Sequence, residues 1–120
     1  MELHRKRAYD TAEPSDGFRV LVDRLWPRGV SKEHAAIDLW AKEVAPSAEL
    51  RTALHADPEG FWHEFTDRYR AELAGPAAGA LADLVDRLQG HPVVTLVYAV
   101  HDTAHNNVVV LEDVLRERLG

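Results

Sequence analysis

Arg24 and Arg28 stand four positions apart in the run Val22-Asp23-Arg24-Leu25-Trp26-Pro27-Arg28-Gly29, where a Trp-Pro turn restricts the spacing between them. Two guanidinium forks held this way can grip a carboxylate or phosphate bidentately. A second polar run, Tyr98-Ala99-Val100-His101-Asp102-Thr103-Ala104-His105-Asn106-Asn107, leaves the most apolar stretch of the chain. The imidazole of His101, with an ordinary pKa of about 6.5, suits proton transfer at neutral pH, and Asp102 and Tyr98 are its neighbours in that role. Trp26 is a candidate pocket wall, Lys42 a supporting cation, and His105 and Asn106 polar contacts for a ligand.

Each candidate also has a structural role open to it. Arg24 can pair with a local carboxylate, and Asp102 can cap the helix that follows it. Asp23 lies in a mostly apolar segment and needs a partner, for which Lys42 or an Arg near the amino terminus is available. His101 and His105, four apart with Asp102 between, have a spacing used by metal ligands, although no third ligand is fixed by spacing. A non-catalytic metal-binding protein is therefore the alternative to an anion site. His55 and Asp57, and His63 with Asp67, are assigned to capping and to a helix surface.

These residues need elements to position them. Residues 3–9 are a candidate first strand, with Arg5 and Arg7 on the same alternating face as Leu3. Residues 10–17 collect Asp, Thr, Pro, Ser and Gly and read as a loop. Residues 19–25 read as a strand stopped by Pro27 and Gly29. Ser31 can cap a short turn, and residues 37–44 fit either a strand or a helix. Pro46-Ser47 opens a short helix to about Leu54. Asp57-Pro58 opens a longer one to about Leu73, with Trp62, Phe65, Tyr69 and Leu73 facing inward. Gly75-Pro76 breaks the chain before a helix carrying Leu81, Leu84, Val85 and Leu88 to Gly90. Residues 93–99, a β-branched run, are the clearest strand and have the composition of a buried parallel one. Thr103 or Asp102 then caps a last helix. Strand, helices, strand, helix makes a parallel crossover, so the sequence predicts a small single-domain α/β fold over residues 1–120. Both polar runs then leave the sheet at its carboxyl edge, where open α/β sheets bind ligands.

Composition narrows the functions. The 120 residues include 14 basic and 20 acidic side chains, a net charge of −6, which disfavours a broad nucleic-acid contact. The chain has no cysteine, so a metal would need His and carboxylate ligands. The charged amino-terminal run is unlike a secretory signal, and no apolar run approaches the roughly 20 residues of a membrane helix. A cytoplasmic protein without membrane contact is expected. There is no phosphate-binding glycine loop, no dinucleotide fingerprint and no Gly-flanked nucleophilic serine, so no cofactor is assigned.

The chain resembles the YeaO-like family of bacterial and archaeal domains of unknown function. The resemblance rests on Gly17-Phe18-Arg19-Val20-Leu21-Val22-Asp23-Arg24-Leu25-Trp26-Pro27-Arg28-Gly29 and Leu39-Trp40-Ala41-Lys42-Glu43-Val44-Ala45-Pro46-Ser47. Residues 65–73, Val94-Thr95-Leu96-Val97-Tyr98 and His105-Asn106-Asn107 add to it. It implies a compact α/β domain related to longer members whose strand exits carry a Cys and a Cys-His-Arg run. Tyr98 and His105-Asn106-Asn107 stand in place of those thiols here, and His101 replaces an expected Lys, so no cysteine chemistry carries over. The expectation is a domain binding or acting on an anionic small molecule, with a metal-binding protein or a partner-binding module as the other readings.

Overall fold

The computed structural model describes residues 1–119. Four strands, β1 (Glu2–Arg7), β2 (Phe18–Leu21), β3 (Leu39–Trp40) and β4 (Val93–Tyr98), form an all-parallel sheet in the order β1-β4-β2-β3. The helices are α1 (Lys32–Ala35), α2 (Ala48–Ala56), α3 (Trp62–Ala74), α4 (Ala78–Leu88) and α5 (Asn107–Leu119). This is the α/β domain expected from the sequence.

The β-branched run suits β4 to the interior of the sheet, between β1 and β2, where both its faces are covered. Val94, Leu96 and Tyr98 join Val20 and Val22 of β2 and its extension, and the apolar stripes of α2 to α5, in the main core. Leu21 and Val97 point the other way, onto a smaller cluster with Ala8, Trp26, Ile37 and Trp40. Four helices therefore lie on one face, while the other is closed mainly by the segment around Trp26 and Ile37. Gly17 is required at the turn into β2: its φ is +65°, and a Cβ there would meet the Val93 carbonyl oxygen at 2.3 Å.

Several boundaries differ from the sequence reading. β2 ends at Leu21, with only the Val22 N–H adding a further bond, 3.1 Å to the Val97 carbonyl. Asp23 to Leu25 already belong to the loop. Residues 37–44 are both things in turn, the two-residue β3 followed by a 3-10 turn over Lys42–Val44. α3 starts at Trp62 rather than at Pro58, because Asp57 Oδ1 accepts the Gly60 N–H at 3.0 Å and closes a separate turn first. A Cβ at Gly60 would fall 2.1 Å from Asp57 Oδ2, so the folded-back carboxylate needs glycine there. α5 is capped by neither Thr103 nor Asp102: Asn106 Oδ1 accepts the Val109 N–H at 3.1 Å. Its side chain competes better because Asp102 is already bonded to the backbone two and three residues on. Ser31 and Ser47 cap α1 and α2 as expected, accepting from His34 and Leu50.

Candidate functional site

The exits of β2 and β4 are neighbours, and between them opens a cleft of about 150 Å³ at the carboxyl edge of the sheet. The loop after β2 gives it Asp23, Arg24, Trp26 and Arg28; α2 gives Arg51 and His55; the segment after β4 gives His105, Asn106 and Asn107. The remaining wall is carbon, chiefly Pro27, Ala45, Pro46, Leu54, Phe65 and Val100.

Asp23 joins the pieces. Its Oδ2 accepts the Ala99 N–H at 2.9 Å, its Oδ1 lies 3.4 Å from Asn107 Nδ2, and its carbonyl accepts Trp40 Nε1–H at 2.8 Å. One half-buried residue thus ties the exits of three strands to the start of α5, its carboxylate reaching β4 and α5 and its backbone carbonyl reaching β3. The ion pair with Lys42 or an amino-terminal Arg does not form; backbone and amide donors stabilise the carboxylate instead. Burial pushes the Asp23 pKa up, and the Ala99 amide, Asn107, Arg51 and His55 offset only part of that.

Arg24 and Arg28 are exposed at the rim. Arg24 Nη2 donates to the Ala45 carbonyl at 3.3 Å. Among the described residues, neither they nor Arg51 forms an ion pair. Guanidinium groups of this kind, one side wet and no carboxylate within ion-pair distance, are free to take an anion from solution.

His105 is held from two sides. Asp102 Oδ2 lies 3.1 Å from its Nδ1, and the ring meets Trp62 edge-on at 5.3 Å between centroids. Nε2 is then the nitrogen left for a ligand. Asp102 Oδ1 accepts the N–H groups of His105 and Ala104, each at 2.9 Å. Together with the His105 ring, these donors hold its carboxyl below the usual aspartate range. Asn106, only 1% exposed, spends both ends of its amide on Val109 N and the Asp102 carbonyl.

Of the residues singled out in the sequence, the fold brings Arg24, Trp26, Arg28, His105 and Asn106 to one cleft. It leaves Tyr98, His101, Asp102 and Lys42 outside the lining. Tyr98 ends β4 inside the main core, away from the cleft lining, and burial raises its phenol pKa. His101 is exposed in a bend, Asp102 acts through His105, and Lys42 Nζ lies 5.0 Å over the Trp40 ring. His101 and His105 both precede α5, so their spacing of four does not place them on one helical face. Among the described residues no group of three or more His, Asp or Glu is arranged to hold a metal ion.

Arg51 and His55 were not singled out for this role, yet their i, i+4 spacing beside the inward Leu50 and Leu54 is the signal for one shared helical face. Arg7 was also passed over. Its Nη2 and Nε donate to the carbonyls of Ala99 and Val100 at 2.8 and 3.0 Å, fixing the segment that forms one cleft wall.

Fold and site define a parallel α/β domain with a cation-rimmed cleft where two strands leave the sheet. Over residues 2–120 the chain matches the family described as the inactive DUF488-N3 subclade, and it belongs to that family. It is 44% identical to the uncharacterized protein YeaO of Escherichia coli (strain K12), over 97% of this chain and 98% of the relative. It is 46% identical to the uncharacterized protein Rv3073c of Mycobacterium tuberculosis (strain ATCC 25618 / H37Rv), over 93% and 92% of the two chains. No solved structure matches it. The resemblance read from the strand-exit motifs is thereby confirmed. No helix of the described residues is long and apolar enough to cross a membrane.

Proposed function

We propose that this domain binds a small anionic molecule, carrying a phosphate or carboxylate, in the cleft at the carboxyl edge of its sheet. The observation that carries the reading is the convergence of three unpaired arginines, Arg24, Arg28 and Arg51, around one half-buried acid in a chain whose net charge is −6. Local charge opposite to the global charge is what an anion site needs, and its small extent favours a compact ligand over a nucleic-acid backbone. Binding without turnover is the better supported form. The lining holds no Ser, Thr, Cys, Lys or Tyr to act as a nucleophile, and the family is described as inactive. A metal centre has Asp23, His55 and His105 in the cleft, but among the described residues no group of three or more such side chains is arranged to hold an ion. A partner-docking face has little to offer either, since Met1, Tyr9 and Leu25 are the exposed large hydrophobics among the described residues. A cytoplasmic location belongs to the same reading, as the place where such metabolites are met.

A thermal-shift panel of sugar phosphates, nucleotides, carboxylates and divalent metals tests it. A ligand present at about 100 times its Kd stabilises the fold by roughly 2.7 kcal/mol. At least one anionic class should raise Tm, and Arg51→Ala and Arg24→Ala should each remove that rise while unfolding as cooperatively as the parent. A rise that persists in both variants, or one produced by metals alone, overturns the proposal.

A further inference from the structure

The cleft is too apolar for a ligand that is all charge. Phe65 and Leu54 are buried in the core and still contribute to its wall, and Pro27, Ala45 and Val100 add further carbon surface. The arginines stand at the mouth: Arg24 and Arg28 are exposed, while Leu54 and Phe65 lie beneath. An inorganic phosphate seated among the guanidinium groups would leave this apolar hollow filled with water that finds few partners. A sugar would bury those of its hydroxyl groups that face the carbon wall without hydrogen bonds, a cost of about 1–3 kcal/mol each. A volume of about 150 Å³ is the size of an apolar cavity that takes up benzene.

We propose that the ligand is an amphipathic anion built on one aromatic ring, a ring-sized carbon body bearing a single carboxylate or phosphate. The ring enters the hollow against Phe65, Pro27 and Leu54, and the anionic group stays at the mouth with Arg24, Arg28 and Arg51. Phe65 is itself fixed by the Trp62 ring, stacked at 5.7 Å, and by Tyr69 at 5.6 Å, so the hollow is preformed rather than collapsed. Size sets the upper limit. A fused two-ring body exceeds the hollow, whereas acetate leaves it empty.

This inference rests on the anion-site reading, and the experiment separates the two. Binding is measured by calorimetry on the full chain with phenyl phosphate, benzoate, inorganic phosphate, acetate, benzyl alcohol and 1-naphthyl phosphate. Phenyl phosphate is expected to bind at least tenfold tighter than inorganic phosphate, and benzoate at least tenfold tighter than acetate. The naphthyl ester and the uncharged alcohol should each lose most of that gain. Ala45→Leu narrows the hollow and should abolish the advantage of phenyl phosphate while leaving any binding of inorganic phosphate in place; Val100→Phe serves as a second filling variant should the first fail to fold. If inorganic phosphate and phenyl phosphate bind equally, the anion site stands and the aromatic assignment falls. If no anion binds, both fall. If benzyl alcohol binds as tightly as phenyl phosphate, the hollow is an apolar pocket and the arginines are not its ligand groups, which overturns both as stated.

Discussion

Two clusters of charge on this small domain are built on opposite rules. On the sheet face away from α2 to α5, Arg19 is 3% exposed and fully engaged. Its Nη1 lies 2.7 Å from Asp16 Oδ2, and its Nε and Nη2 donate to the Ala35 carbonyl. Lys6 completes the cluster at 3.2 Å from Asp16 and 2.9 Å from Glu13. At the carboxyl edge, Arg24, Arg28 and Arg51 have no carboxylate within ion-pair distance and border open space. A desolvated charge must be compensated inside the fold, whereas an uncompensated one persists only where water or a ligand can reach it. The first cluster therefore holds the sheet together, and the second is available for binding.

The largest effect expected from this contrast is at Arg19. Arg19→Ala strips the Ala35 carbonyl of its donors and leaves Asp16 with Lys6 and the Glu13 N–H. Breaking a buried pair by removing one partner costs about 3–5 kcal/mol, a large part of the roughly 5–15 kcal/mol that holds such a domain folded. Urea unfolding should show the loss directly. A cost under about 1 kcal/mol would erase the distinction between the two clusters.

Asp23 sits on the boundary between the two kinds of charge, and pH sharpens its position. Burial raises its pKa, so the folded state binds its proton more tightly than the unfolded chain does. Its contribution to stability is then present below the ordinary aspartate pKa and lost as pH rises through the raised value. Asp23→Asn keeps an acceptor for the Ala99 N–H and has no charge to bury. The variant should gain on the parent as pH rises from about 4 to 7, read from urea midpoints across that range. Asp16 and Asp102, whose pKa values are lowered, give the opposite slope below that range. Both proteins share it, so it cancels from the difference. Parallel pH curves for parent and variant would show that Asp23 behaves as an ordinary ionised carboxylate.

The same contrast explains what could be read before the fold was known. β4 was legible because its composition is that of a buried parallel strand, and once it was placed, the two polar exits had to share an edge. Arg24, Trp26, Arg28 and His105 follow from that single geometric step. Tyr98 was misplaced because alternation along β4, which sends Val94 and Leu96 inward, sends Tyr98 inward as well. Its place at a strand end suggested the rim, but the two-residue period decides orientation. Lys42, read as a supporting cation, could not be oriented while residues 37–44 fitted both a strand and a helix, and it lies over the Trp40 ring instead. Arg51 and His55 come from α2, a helix whose direction over the sheet no local pattern fixes. The start of α3 was misjudged for a different reason. Asp57-Pro58 carries the signature of a helix start, and the folded structure uses it to close one isolated turn instead.

Arg28 offers the smallest effect on stability and the sharpest test of what the cleft is for. Its side chain is exposed at the mouth, and the bond its residue makes to Tyr9 Oη comes from the backbone carbonyl, which any replacement keeps. Arg28→Ala should therefore change unfolding free energy by no more than about 0.5 kcal/mol, the range of surface substitutions away from special features. A charge-assisted hydrogen bond to a ligand is worth about 1.5–3 kcal/mol, so affinity for phenyl phosphate should fall about tenfold or more. The two measurements have to be made together. Lost binding with intact stability assigns Arg28 to recognition. Lost stability with intact binding would place the unpaired arginines among the structural charges, and the difference between the two clusters would then lie in their exposure alone.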